Sequence, residues 1–211
     1  MTDLKTDARV QRTKQLLLDA LVHLLMERGY ERLTIQNLLD RAQVGRSTFY
    51  AHFQSKDELL ACSIERLRVR LTAQWRASLQ AKGNETALLA FTLPFFQHLD
   101  NHRRIYHTTI GREHERTVEQ QMQRMLRELV REDMEQHRVR APVETIDLAV
   151  RYVVGTLWAV VIWWMDGHKS LKPEEVDDIF QRMTFPGLDA IICLRSRTSL
   201  ARREVEFRPG G

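Results

Sequence analysis

The spacing of apolar residues is the feature that most constrains the fold of this 211-residue chain. The first clear repeat consists of Leu17, Leu21, Leu24 and Leu25, which would share one face of an α-helix. Similar repeats follow in almost every later segment, and none shows the strict alternation of a half-buried strand. Nine Gly and five Pro are too few for the frequent turns of an all-β protein. The sequence therefore predicts an all-α fold.

Caps and helix breakers predict where the individual helices begin and end. We expect the first helix to end at Gly29 and a second to follow Thr34 as its N-cap. A Ser55–Glu58 capping-box pattern starts a fourth helix at Lys56, which runs towards Leu79. The remaining helices are predicted over residues 46–53, 86–100 with a bend near Pro94, 103–110, 113–137, 142–166 and from Pro173 onwards with an interruption at Pro186.

Composition narrows the class of protein. Hydrophobic residues are 43% and charged residues 28% of the chain, as in soluble globular proteins. Cys62 and Cys193 have no metal or redox spacing, which favours a reducing cytoplasm over a disulfide-stapled secreted fold. The N-terminus lacks the apolar core of a signal peptide, and the uncharged apolar run from Tyr152 to Met165 is shorter than the roughly 20 residues of a bilayer span. We expect a cytoplasmic protein with no membrane segment and no cofactor.

Positive charge is concentrated in two short segments of the N-terminal region. Residues 8–18 and 41–56 contain basic side chains and no acidic one, although the net charge of the whole chain is only +4. Such segments suit contact with a phosphate backbone. Ordinary solvated charge explains them equally well when the charge is considered alone.

The three predicted N-terminal helices have the arrangement of a helix-turn-helix. A three-residue turn, residues 43–45, separates the second helix from the third. On a helical wheel, Phe49 and Phe53 point towards the other helices, whereas the small Ser47 and Thr48 lie opposite and would fit a major groove. A small helical bundle with no role in DNA binding remains the alternative.

Three runs of sequence in this region resemble the DNA-binding domain of the TetR family. They are Thr34–Leu39, Ala42–Phe53 and Ser55–Leu60, and they include the family's Thr-Phe-Tyr-x-His-Phe-x-x-Lys-x-x-Leu pattern at residues 48–59. The motif resemblance covers residues 8–60, and beyond them it rests on length and helix order. Gln43 replaces the turn glycine common in the family, and Gly45 replaces the usual serine cap at a cost of only a few tenths of a kcal/mol.

The resemblance implies a role for individual residues in binding double-stranded DNA. It assigns phosphate contacts to Thr34, Tyr50, His52 and Lys56, and base edges to Arg46, Ser47 and Thr48. Arg46 could instead hold a phosphate, and both roles remain open. Arg9 and Arg12 could enter a minor groove as an arm, but solvation is the favoured interpretation.

The rest of the chain is predicted to regulate and dimerise. We expect a DNA-binding domain at residues 8–60, a helical regulatory domain at 61–197 and a disordered tail at 198–211. Two apolar stripes run along the helix that follows Pro142, so it should be buried on both sides, either by a partner or within a monomeric core. The predicted interface of a homodimer is Ile146, Val150, Val153, Leu157, Val160, Trp164 and Phe180. The second stripe, on another face, is Ala149, Tyr152, Thr156, Ala159 and Trp163.

Dimerisation and ligand binding together define the predicted function. Two-fold symmetry would place two recognition helices on a palindromic operator. The resemblance also implies a small-molecule effector, held by aromatic or soft side chains of a kind that is more often ordinary core than pocket wall. The candidates are Phe91, Phe95, Tyr106, Met122, Met125 and Trp158. The predicted function is that of a ligand-responsive transcriptional repressor, and not that of an enzyme.

The histidines suggest an alternative of another class. His98 and His102 have helical spacing, and His107 and His114 follow, so the four could hold zinc or nickel in a metal sensor or a metal-dependent hydrolase. Residues 100–103 resemble an interhelix turn, which would pull the first pair apart. His114 is not followed by the second histidine of a His-Glu-x-x-His motif. We therefore predict no metal site and keep the metal-binding protein as the alternative.

Overall fold

The computed structural model describes residues 2–81, 88–103, 106, 116–168 and 170–206, and every regular element in these ranges is an α-helix. The helices are α1 (Thr2–Arg28), α2 (Ile35–Ala42), α3 (Arg46–Tyr50), α4 (Lys56–Ala81), α5 (Thr92–Asn101), α6 (Arg116–Gln136), α7 (Val143–Gly167) and α8 (Pro173–Glu206). The predicted all-α fold is confirmed. Gly29 ends α1 at φ 74°, in the left-handed conformation predicted for that cap.

Several helix boundaries differ from the predicted ones. The third helix ends at Tyr50 rather than at residue 53. Pro94 does not bend a helix, because α5 begins only at Thr92 and the ring therefore lies in the first turn, where its missing N–H has no helical partner to lose. Most of the predicted helix at 103–110 lies outside the described residues.

The last helix is longer and more continuous than predicted. It passes through Pro186 and continues to Glu206, beyond the point where a disordered tail had been expected. A proline removes one backbone hydrogen bond. Phe180 and Leu188 are buried on either side of Pro186, so side-chain packing holds the helix together there. Residues 207–211 lie outside the described part of the chain.

The chain forms two compact units that are not continuous in sequence. The first unit contains Met1–Ala73 and His98–Met125, and the second contains Gln74–Gln97 and Leu126–Gly211. The core of the first unit includes Leu17, Leu21, Leu38, Phe49 and Leu59, each fully buried. The leucine stripe that predicted α1 is thus the stripe that α1 buries. The predicted boundary after residue 60 falls within α4.

The core of the second unit is built on α7 and α8, and it corrects the predicted dimer interface. Val150, Val153, Leu157, Trp164 and Phe180 are each 0% exposed and Val160 is 4% exposed within the single chain, while Ile146 is half-buried. The Phe96 ring packs edge-on against Trp164 and Phe180, at centroid distances of 5.8 Å and 6.2 Å. This stripe faces the chain's own core, so the prediction that it meets a partner is wrong.

The other face of α7 carries apolar side chains on the surface. Trp163 is 38% exposed and Leu148 is 55% exposed, and Gly155 and Ala159 are also exposed between them. Among the described residues, α7 is the one helix long and apolar enough to cross a membrane, and half of its most apolar stretch is buried in the structure. Because a buried core helix has the same composition, this feature is weak support for a membrane span.

Candidate DNA-binding site

The N-terminus of α2 is closed by a reciprocal cap. Thr34 has an extended backbone, and its Oγ1 accepts the Asn37 N–H at 3.2 Å, while the Thr34 N–H donates to Asn37 Oδ1 at 3.1 Å. The predicted N-cap is therefore confirmed. Thr34 is exposed, and accepting a hydrogen bond leaves its hydroxyl proton available to a phosphate at the positive end of the helix.

The turn between α2 and α3 depends on two unusual residues. Gln43 adopts the left-handed conformation, with φ 53° and ψ 43°, and its N–H donates to the Leu39 carbonyl. Glycine would adopt this conformation without steric cost, whereas an L side chain costs roughly 1–2 kcal/mol. Gly45 is the N-cap of α3 at φ −69° and makes no side-chain cap bond. The two departures from the family pattern thus fall on the two residues that shape the turn.

The inner side of α3 holds the helix against the first unit. Phe49 is 0% and Phe53 is 4% exposed, and their ring centroids lie 6.1 Å apart. The predicted packing of these two rings is confirmed. Since both rings are fixed in the core, the orientation of the opposite side of this short helix is fixed as well.

The outer side of α3 is small and polar at its centre. Ser47, Thr48 and Ala51 are exposed, and Tyr50 beside them is 49% exposed with its ring edge-on to Phe49 at 5.4 Å. His52 is half-buried just beyond the helix. A convex surface with short side chains at its centre and longer ones at its edge can enter a major groove, where the long side chains would reach the phosphates.

Arg46 opens α3 with an exposed positive charge. Its guanidinium donates to Gln36 Oε1 on α2 at 3.2 Å, and no carboxylate among the described residues pairs with it. A neutral amide partner leaves the full charge in place. This hydrogen bond also holds the start of α3 against α2, and it is compatible with both a base contact and a phosphate contact.

Lys56 is engaged within the protein, unlike Arg46. Its Nζ donates to the carbonyls of Tyr30 and Leu33 at 3.1 Å and 3.0 Å and lies 4.4 Å from the centre of the Tyr30 ring. The Tyr30 hydroxyl in turn donates to Asp57, and burial and that carboxylate raise the pKa of Tyr30. Lys56 therefore ties the start of α4 to the segment between α1 and α2, a role that the motif did not reveal.

The remaining basic residues of the two cationic segments have different environments. Arg41 pairs with Glu27 on α1 at 2.9 Å, so its charge is compensated locally. Arg9 and Arg12 are exposed on α1, which begins at Thr2. Both therefore lie on a helix with exposed side chains, which agrees with the favoured interpretation that they are solvated. Ser55 caps α4 as predicted, since its Oγ accepts the Glu58 N–H at 3.2 Å.

The predicted effector residues fall in different places. Tyr106 and Met122 line a cavity of about 80 Å³ in the first unit. Met125 is buried in the same unit but does not line that cavity, and Phe91, Phe95 and Trp158 are buried in the second unit.

The histidine pair remains together, contrary to expectation. The rings of His98 and His102 are 4.3 Å apart, because α5 continues to Asn101 and the turn begins only after it. His107 and His114 lie outside the described residues. Within the described ranges, no three His, Cys, Asp or Glu side chains are grouped closely enough to hold a metal ion.

These features define a helix-turn-helix protein, and comparisons with known proteins identify its family. Residues 17–61 match the model of the bacterial regulatory proteins of the tetR family, and residues 87–185 match that of a transcriptional regulator C-terminal region. The chain belongs to the TetR family of transcriptional regulators, which are not enzymes.

Solved structures of transcriptional regulators share the fold. A TetR transcriptional regulator from Streptococcus agalactiae aligns with a TM-score of 0.62 at 21% identity, over 86% of this chain and 98% of that one. NalD of Pseudomonas aeruginosa aligns with a TM-score of 0.60 at 21% identity, over 85% and 96% of the two chains. FadR of Bacillus subtilis aligns with a TM-score of 0.55 at 15% identity, over 84% and 97%.

A curated relative matches part of the chain. The uncharacterized HTH-type transcriptional regulator YxbF of Bacillus subtilis is 38% identical over 61 residues, which are 28% of this chain and 16% of that protein.

Proposed function

We propose that this chain is a cytoplasmic, ligand-responsive transcriptional repressor that binds a near-palindromic operator as a homodimer. The observation that carries the proposal is the outer face of α3, small and polar and held outward by the buried Phe49 and Phe53. In this proposal Arg46, Ser47 and Thr48 face base edges. The phosphate contacts come from Thr34, Tyr50, His52 and Lys56.

The exposed apolar face of α7 supports a dimer. Its exposed residues are Leu148, Gly155, Ala159 and Trp163, with Tyr152 half-buried among them, and Met183 of α8 is 57% exposed. A Cβ added at Gly155 would meet no atom within 4 Å, so a helix of a second copy can approach closely at this point. A face that a copy of itself covers gives two-fold symmetry, and two recognition helices related by that symmetry read a palindrome.

Tyr152 joins this face of α7 to α8. Its hydroxyl donates to the Met183 carbonyl at 3.0 Å, and its ring occupies the space beside Gly187, where an added Cβ would lie only 2.2 Å from the hydroxyl oxygen. Gly187 therefore allows Tyr152 to hold α7 and α8 together. The surface formed by both helices can then meet a second copy as one rigid patch.

Relatives with this fold support repression and ligand response. NalD is described as the secondary repressor of a multidrug efflux pump, and FadR was solved in complex with stearoyl-CoA. In this protein, an effector would release DNA only if it binds the DNA-incompetent conformation more tightly than the competent one.

Selection of bound DNA from a random pool tests the proposal, and Arg46→Ala tests the reading of bases. If Arg46 forks onto a guanine, we expect its loss to cost about 1–3 kcal/mol at one base pair of each half-site and to relax the preference there. Titrations of single-base variants of the selected operator at several salt concentrations measure this effect.

The matched control is Arg41→Ala, which removes the same charge from a residue already paired with Glu27. It should leave the preferred site unchanged. Equal weakening of all sequences by Arg46→Ala would assign Arg46 to a phosphate, and failure to enrich any sequence would contradict specific binding.

A further inference from the structure

A cavity of about 80 Å³ lies within the first unit, between α1, α4 and the α5–α6 region. Most of its wall is apolar, including Leu25 of α1, Leu60 and Ile64 of α4, and Met122 of α6. Apolar walls favour a ligand with an apolar body. The cavity lies on α1 and α4, two helices that also belong to the DNA-binding region.

Arg70 is exposed, and it is the one permanently charged residue among the described residues that line the cavity. No carboxylate in the described part of the chain pairs with it, whereas on the same helix Arg68 pairs with Glu65 at 2.8 Å and Arg66 donates to the Gln15 amide oxygen at 2.7 Å. A single guanidinium beside an apolar wall attracts an anion and repels a metal cation.

Neutral hydrogen-bonding groups surround this charge. The pKa of His98 is lowered to about 3, because burial, His102 and Arg70 all disfavour the imidazolium, so His98 is neutral at pH 7. Burial raises the pKa of Tyr106, which therefore keeps its hydroxyl proton. Ser63 adds a hydroxyl to the same lining. These groups can orient an anion without neutralising Arg70.

His102 is oriented by a backbone contact. Its Nδ1 lies 2.9 Å from the His98 carbonyl, and since a carbonyl only accepts, Nδ1 carries a proton. The second nitrogen, Nε2, is left for another partner. This contact and the α5 helix together keep the two rings adjacent.

A second cavity, of about 190 Å³, shares Val22, Ser63, Arg70 and His102 with the first, and its own lining adds Asp19 and Arg66. Both spaces border the same charged and polar side chains, Arg70, Ser63 and His102. An engineered cavity of about 150 Å³ is known to hold a benzene ring. The second space exceeds this volume, so the surroundings of Arg70 have room for a ring or short chain bearing one acidic group.

We propose that the first cavity binds a small organic monocarboxylic acid. The carboxylate lies on Arg70, and the apolar body lies against α1, α4 and α6. This acid would be the effector of the ligand-responsive repressor proposed above, so the inference rests on that proposed function. Because α4 also carries Lys56 and the α1 side of the cavity belongs to the same unit as α3, the ligand would act directly on the elements that position α3.

Calorimetric titration of the purified full chain with benzoate and with its neutral isostere benzamide tests the charge requirement. Hexanoate and hexanamide provide the same comparison for a chain-shaped body. We expect at least one acid to bind about tenfold or more tightly than its amide, as a charge-assisted hydrogen bond predicts. Two variants test the location. Arg70→Gln should abolish this preference, and Ile64→Phe should weaken binding by filling the apolar part.

Arg76→Gln is the matched control, since Arg76 is exposed on the same helix and does not line either cavity. It should bind the acids like the unmodified protein. Equal affinity for acid and amide, no binding of either acid at millimolar concentration, or equal losses in Arg70→Gln and Arg76→Gln would overturn the proposal. DNA release is measured separately. Arg70-dependent binding of an acid without release would confirm the site and contradict the effector response.

Discussion

Two exposed helix faces in this protein differ in length and in chemistry. The outer face of α3 is a short surface of serine, threonine, alanine and a half-exposed tyrosine, beside the exposed positive charge of Arg46. The outer face of α7 is long and apolar, with Leu148, Ala159 and Trp163 in contact with solvent in the single chain. Polar groups on a rigid helix suit a nucleic acid, whereas an apolar stripe gains free energy when another protein surface covers it. Exposure alone therefore does not define a binding site. The chemistry of the exposed side chains indicates whether a face suits DNA or another protein surface.

The difference between the two faces is tested by introducing glutamate in place of an exposed alanine on each of them. These two substitutions have the largest expected effects on dimerisation and DNA binding. Ala159→Glu places a charge in the apolar face of α7, and an unpaired charge buried in a dimer costs several kcal/mol. We expect monomers in sedimentation equilibrium and, as a consequence, weaker operator binding. Ala51→Glu places the same charge beside α3, where it should repel phosphates and leave the dimer intact.

Each variant controls for the other, because both residues are exposed alanines. A dimer that survives Ala159→Glu would show that another surface holds the two copies together. Unchanged DNA affinity in Ala51→Glu would remove α3 from the interface with DNA.

Lys56→Ala tests whether Lys56 has both a structural role and a phosphate-binding role in the DNA-binding unit. The substitution leaves the carbonyls of Tyr30 and Leu33 without their charged donor, so we expect the free energy of unfolding to fall by about 1.5–3 kcal/mol. The remaining N–H of the ammonium is available to a phosphate. The slope of the logarithm of the DNA-binding constant against the logarithm of the salt concentration should therefore also become shallower, by about one for each half-site. Chemical denaturation and DNA titration over a range of salt measure the two effects. An unchanged unfolding free energy would contradict the structural role found here.

The turn before α3 gives the smallest expected effects. Gln43→Gly should stabilise the unit by up to about 1 kcal/mol, since glycine adopts φ 53° without strain. Gly45→Ser should add only a few tenths of a kcal/mol, because the new hydroxyl can cap α3. There is room for it, as an added Cβ would meet only Thr48 Oγ1 at 3.9 Å. Thermal unfolding measures both, and destabilisation by Gln43→Gly would show that the glutamine side chain outweighs the strain.

Local signals predicted most of the first unit. Thr34 and Ser55 are caps, and Gly29 ends α1, because the hydrogen bonds or backbone angles that define these roles involve nearby residues only. The burial of Phe49 and Phe53 follows from helical spacing over a few residues in the same way.

Contacts between distant segments determined what could not be predicted. Both stripes of α7 are apolar. Which of them is buried in the core of the second unit depends on Phe96 and Phe180, which are remote from α7 in sequence. The carbonyl partners of Lys56 lie on the segment that follows α1, and the grouping of Arg70 with His98 and Tyr106 requires the packing of three segments. Each of these would have needed knowledge of the tertiary structure.

Site-directed cleavage of DNA tests the central claim most directly. A single cysteine in place of Ser47, with Cys62 and Cys193 replaced by alanine, can carry an iron chelate that cuts nearby DNA. If α3 of each copy enters a groove, the label will cut the selected operator at two positions related by the two-fold axis of the sequence. Cleavage at a single position, or uniform cleavage along the DNA, would contradict the account of a dimer that reads its operator with α3.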